Sequence, residues 1–552
     1  MPARIRGPLA ALVAATVVSS SGAAASATGP AARVRPNVRP APRPVSVSDP
    51  RVRREAAWSV TMRPATAGRA PNDEVPPEAG PPDASPPDAS PPDASPAARP
   101  LAPVVTTHFD AIPQQADNSP ADPTGAVGRT NVVTAVNTAV GVYARDGGEM
   151  LAPTGLQELV PGLLGLKYDP KVVFDQYTNA FVLTFLVRRP STQESWIVVT
   201  TIPDATAADR STWCGAQLKG DGVPRNGPQW ADYPAVGYDV DGVTIATNAF
   251  NFGGHNAFRY AQIYSILNAE LFQTPCDPSD AVAFTAFAQK QTRDPNGSKA
   301  FTIQPAQTEG ASNGDQYLLS FDPSGSDVVV WRLRETAHGP TLSRSAVAVG
   351  RARVAPYGTQ AGGSFRDDDT WWDPGDLRLV NAFYDADLRR VYAAHVLFKD
   401  LEPDSFTGGY PESVIKWYEV HPTGRLRASR LTRSGIVGTP ETDAGWPVVA
   451  TDASGDLLIT YNRASKPLGE YLSAWAAEVR PGTTAADPVL LSAGTARIEA
   501  SPGVERWGDF NAINRDPVDG TFVAMVNQYA KSDGGGPTTL DWQQTFDLVS
   551  GA

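Results

Sequence analysis

Three short segments place an indole beside a carboxylate: Trp230-Ala-Asp232, Trp372-Asp-Pro-Gly-Asp376 and Trp507-Gly-Asp509. Carboxylates can accept hydrogen bonds from sugar hydroxyls or bind a cation, and a flat indole face suits a sugar ring or a cation. Arg378 and Arg506 stand next to two of the pairs and can compensate gathered negative charge. Trp230, Asp232, Trp372, Asp376, Arg506, Trp507 and Asp509 therefore form the candidate ligand-binding set. The competing structural reading is that the tryptophans pack between sheets and the aspartates satisfy N–H groups in turns, which recurrence along a repeat protein also produces.

Arg366-Asp-Asp-Asp-Thr-Trp-Trp-Asp-Pro-Gly-Asp376 is the densest acidic run. Asp367, Asp369 and Asp373 supply hard oxygen donors and are candidate Ca²⁺ ligands, although the spacing is not that of an EF-hand and a solvated loop would look the same. No other cofactor is expected. Five histidines, His108, His255, His338, His395 and His421, are scattered without HExxH or ligand spacing. GxSxG, P-loop and GxGxxG motifs are missing from the chain. A glycosidase needs two placed carboxylates. Nothing in the sequence selects two among 59 acidic residues, so no catalytic residue is assigned.

These residues must be held by strands. From Val104 onward, short runs rich in Val, Ile, Thr, Phe and Tyr alternate with Gly, Pro, Asp and Asn turns; Asn131–Tyr143, Phe181–Val187 and Trp196–Ile202 are examples. Helical periodicity is confined to 155–166 and 263–271, at most short helices in connectors. The strands recur in a larger unit whose turns carry Asp175, Asp239, Asp322, Asp385, Asp452 and Asp516, at separations of 64, 83, 63, 67 and 64 positions. A near-constant period predicts an all-β β-propeller, counted as seven blades, with six or eight if a weak copy is miscounted. Val104–Phe109 and Thr545–Val549 are expected to pair and close the ring, removing two exposed edges.

The N-terminus predicts export. Arg4 and Arg6 precede an apolar stretch from Leu9 to Val18, and Ala25-Ser26-Ala27 offers a cleavage site, so 1–27 reads as a signal peptide. Residues 28–103 read as a disordered Pro/Ala/Ser-rich linker with Pro-Pro-Asp-Ala-Ser three times in tandem, and 104–552 as the propeller. A net charge of −12 argues against a nucleic-acid partner. No later run is long enough for a membrane span, and a monomer is expected. In an exported chain, two cysteines without CxxC suggest one disulfide. Cys214 and Cys276 lie in connectors flanking one unit, which predicts that they are joined.

Asp122-Pro-Thr-Gly-Ala-Val-Gly, Asp169-Pro-Lys-Val-Val-Phe-Asp-Gln-Tyr, Trp230-Ala-Asp-Tyr-Pro and Arg506-Trp-Gly-Asp-Phe together resemble a widespread group of secreted bacterial β-propeller proteins near the sialidase-like (neuraminidase) superfamily. The resemblance covers most of 104–552 and implies fold and export. The Ser-x-Asp-x-Gly-x-Thr-Trp boxes and the Phe-Arg-Ile-Pro segment of sialidases proper are not found, so their catalytic residues are not carried over. The leading expectation is an extracellular module that binds glycan or protein at one mouth of the channel. A glycan-active hydrolase or lyase and a structural surface protein are the alternatives.

Overall fold

The computed structural model describes residues 61–67 and 103–551, apart from 115–119, 221–227, 254–256, 278–280, 365–369, 402–411, 485–487, 499–502, 533–537 and 540–541 and the single positions 323, 338 and 400. The signal peptide, nearly all of the linker, Asp367 and Asp369 lie outside the described residues. Seven sets of four antiparallel strands are found among them, at 124–155, 166–219, 229–288, 304–348, 382–437, 443–492 and 512–550 with 104–113. The first strands of these units are Thr124–Val127, Leu166–Asp175, Gln229–Tyr238, Gln304–Glu309, Ala382–Asp385, Asp443–Thr451 and Ala512–Arg515. Each packs beside the next in chain order, and the seventh packs against the first. Parallel pairing joins the third to the fourth and the fourth to the fifth. The result is a closed ring of inner strands, a β-propeller.

The last unit takes its outermost strand from the other end of the chain. Val104–Pro113 pairs antiparallel with Trp542–Ser550, as expected, with Phe109 opposite Phe546. One difference concerns the linker. Thr61–Ala67 forms a strand, parallel first to Cys214–Gln217 and then to Val282–Phe284. The outer strands of the second and third units present unpaired backbone groups, and an extended segment of the same chain satisfies them.

The inner strands begin alike for a reason visible in the sequence. Asp122, Asp169, Tyr233 and Trp446 each precede a proline and each has a positive φ of 50–53°. Proline disfavours helical backbone in the residue before it and donates no ladder hydrogen bond. Register accordingly shifts at 168/171, 232/235 and 445/448, so a bulge re-aims the side chains at the head of three inner strands.

Two expectations need correction. Asp322 is not an inner-strand turn; it follows Asp315–Phe321, the second strand of its unit, and Glu309 ends the inner strand there. Of the stretch 263–271 only Asn268–Leu271 is helical, because Ile263–Leu267 completes a strand, and of 155–166 only Leu156–Leu159 is. The disulfide joins Cys214 to Cys276 with Cα atoms 5.7 Å apart, as the sequence predicts.

Candidate functional site

Each inner strand opens at one mouth of the ring, and the bulged openings gather ionisable side chains there. The Asp122 carboxylate accepts the Asp509 N–H at 2.7 Å, and that of Asp169 accepts the Tyr233 N–H at 3.1 Å. The Tyr233 hydroxyl donates to the Asp509 carbonyl at 2.9 Å. Asn137 donates to Asp122 and accepts the Asp169 N–H, so adjoining units are stitched together by side chains. Arg506 pairs with Asp509, and Arg378 forms a bidentate pair with Asp376 at 2.8 and 2.7 Å.

Asp232 differs from its neighbours. It is partly open to solvent, and its carboxylate makes no hydrogen bond or ion pair with any described residue. Burial in the recess raises its pKa to about 7, with the Asp509 charge adding to that rise and Arg506, Arg378 and Arg188 opposing it. Burial also pushes Asp122 and Asp169 well above the carboxylate range, reinforced by neighbouring aspartates. Asp376 goes the other way: burial raises it, but the Arg378 guanidinium outweighs that and holds it low.

The carboxylates of the candidate set thus converge, since Asp232, Asp373, Asp376 and Asp509 lie within electrostatic reach of one another or of Arg378. The indoles do not join them at the surface. Trp230, Trp372 and Trp507 are 2, 0 and 3 % exposed. Trp230 stacks on Phe250 and lies under Arg188, while Trp372 fills the space left by Gly358 and Gly445, where any Cβ would collide with it. The expectation of aromatic faces open to a ligand is therefore corrected: these rings hold the sheets together. Asp373, expected as a metal ligand, has its Oδ1 on the Gly375 N–H at 2.9 Å. No group of three or more His, Cys, Asp or Glu able to hold a metal ion occurs among the described residues.

One layer deeper lies a small cavity lined by residues of all seven inner strands. Thr124, Lys171, Gln304, Val380, Val448 and Asn511 are among its lining residues. Its volume is about 30 Å³, against roughly 10–15 Å³ needed to seat one water on that measure. A sugar ring does not fit inside.

Sequence reasoning missed Asp122, Asp169, Lys171 and Tyr233 as site residues. The signal was the recurring residue-proline step at 122, 169, 233 and 446, whose bulge aims the preceding positions at the axis.

No family model matches the chain, and no curated protein matches it in sequence. Among solved structures it is similar to a protein of unknown function from Dyadobacter fermentans (TM-score 0.36, 13 % identity, 69 % of this chain and 94 % of that one). It is also similar to an α-L-arabinofuranosidase of Fusarium graminearum solved with arabinobiose (TM-score 0.36, 8 % identity, 82 % and 98 %). A third is Trypanosoma rangeli sialidase (TM-score 0.35, 9 % identity, 78 % of this chain and 59 % of that one).

Proposed function

We propose that the chain is an exported propeller protein whose channel mouth binds a glycan, and that Asp232 delivers a proton to the bound ligand in a hydrolase reaction. The observation that carries this reading is the Asp232 carboxyl. It is unpartnered, faces the recess, titrates near neutrality and stands within electrostatic reach of Asp509, which is ion-paired to Arg506. Two carboxyl groups in such unequal surroundings suit acid–base work on a glycosidic bond. Asp232 would protonate the departing oxygen, and Asp509 would take the base or nucleophile place. Arg378, Arg188 and Tyr168 surround the same recess.

A second reading, binding of glycan or protein without catalysis, is favoured by the ion pairs that already engage Asp376 and Asp509. Export through cleavage after Ala27 is part of the proposal and is supported by the disulfide.

The full chain, purified from the medium of an exporting host, should be incubated with a panel of plant, fungal and bacterial polysaccharides. Release of reducing ends that Asp232→Asn abolishes, with glycan binding retained, supports the hydrolase. Binding without release by the wild type leaves the second reading. Absence of glycan binding on an array ends both glycan readings. N-terminal sequencing of the secreted chain should begin near Thr28.

A further inference from the structure

Lys171 lies two residues beyond Asp169 on the inner strand Leu166–Asp175 and lines the central cavity. It is nine-tenths buried, at 9 % exposure. Its Nζ lies 3.3 Å from the centroid of the Phe510 ring and makes no hydrogen bond with a described residue. Asp122, Asp169 and Asp509 are the charged groups that act on it. Two acceptors among the same lining residues, Gln307 Oε1 and Asn511 Oδ1, are buried without a hydrogen-bond donor. The cavity has the room of roughly two to three waters, which is also that of a carbonyl compound of two or three heavy atoms.

We infer that Lys171 is a covalent capture site for small carbonyl compounds, its amine forming an imine with a short aldehyde at the neck of the channel. Burial favours the uncharged amine and lowers the pKa to about 7, against the opposing pull of the three aspartates. The Nζ lone pair adds to the carbonyl carbon, and an N–H proton passes to the carbonyl oxygen, giving a carbinolamine. That hydroxyl takes a proton from solvent and leaves as water. The product is a protonated imine within electrostatic reach of Asp122, Asp169 and Asp509, and charge and atoms balance without an oxidant or reductant. Burial makes the protonated lysine costly, and the aspartates that oppose that cost would neutralise the iminium.

The inference rests on the cavity and not on glycan recognition, so failure of the hydrolase reading leaves it standing. The test treats the full-length protein at pH 7 with acetaldehyde and cyanoborohydride, which reduces imines to stable alkylamines, and maps the modified lysines by mass spectrometry. An ordinary lysine is neutral in only about one molecule in 10³ at pH 7. Lys171 is expected to label about tenfold or more faster than Lys219 and Lys531, whose side chains are 58 and 42 % exposed. The same treatment in urea should erase the preference. An unmodified Lys171 beside labelled Lys219 overturns the inference, and so does a preference that survives unfolding. A Lys171→Arg variant that folds, judged by circular dichroism, should lose the fast-labelling site and no other.

Discussion

The Tyr233 backbone N–H donates to Oδ2 of Asp169 at 3.1 Å, across the seam between the second and third sheets. Both residues have a positive φ and both precede a proline. A side chain from one bulge therefore satisfies the backbone that the next bulge exposes. Asp122 does the same for Asp509 at the seam that closes the ring.

That relationship separates two substitutions at one position. Asp169→Ala removes the acceptor and leaves the Tyr233 N–H buried and unmet, a loss of about 1–3 kcal/mol. Asp169→Asn keeps an acceptor and removes a carboxyl that burial already disfavours in its charged form, so its cost should stay below about 1 kcal/mol. Urea unfolding of the pair distinguishes them; equal stability would mean that the bond contributes nothing.

Stability should fall as pH rises from about 4 to 7. Burial raises Asp232, Asp239 and Glu309 to about 7 and Asp175 to about 6. An acid whose folded pKa is raised contributes stability that is complete below its unfolded value near 4 and lost as pH climbs through the folded value. His108, raised by its hydrogen bond to Asp547, acts in the same direction. Lys171 opposes the trend only higher up: its folded pKa is lowered, so its contribution is present at alkaline pH and lost as pH falls through 7. A melting temperature lower at pH 7 than at pH 5 is the expected result, and a rise over that interval would contradict these shifts.

Cys214→Ser and Cys276→Ser should each destabilise the protein by about 4 kcal/mol on loop-closure entropy, the bridged residues being 62 apart. Reducing agent should lower the melting temperature of the wild type towards that of the variants and leave the variants unmoved.

Ring closure is testable at Phe109, which stacks on Phe546 at 4.9 Å and meets Tyr143 at 5.4 Å. Phe109→Ala should cost about 2–3 kcal/mol, less than a fully buried ring. Asp110 adds anchoring through Lys531 at 2.7 Å and Tyr529 at 3.0 Å. A loss under about 0.5 kcal/mol in urea unfolding would show that the strand Val104–Pro113 closes nothing.

The amino-acid sequence by itself determined the class of fold, because alternation, turn residues and near-constant spacing are local and survive without contacts. It also determined the disulfide, since two cysteines leave one pairing, and the closing strand, since both ends of the repeat lacked a partner. Asp232, Asp376, Arg506 and Asp509 were legible from their place before each apolar strand. Only the tertiary structure decided which way the side chains face. Trp230 and Asp232 are two apart on a regular stretch of strand and both meet Arg188, yet Phe250 covers the indole while the carboxylate stays partly open. Nothing local marks Thr61–Ala67 as a strand, because its partners lie about 150 and 217 positions away. The depth of Lys171, and with it the state of its amine, likewise follows from six other strands closing around it, a condition set by ring closure and not by any neighbour in sequence.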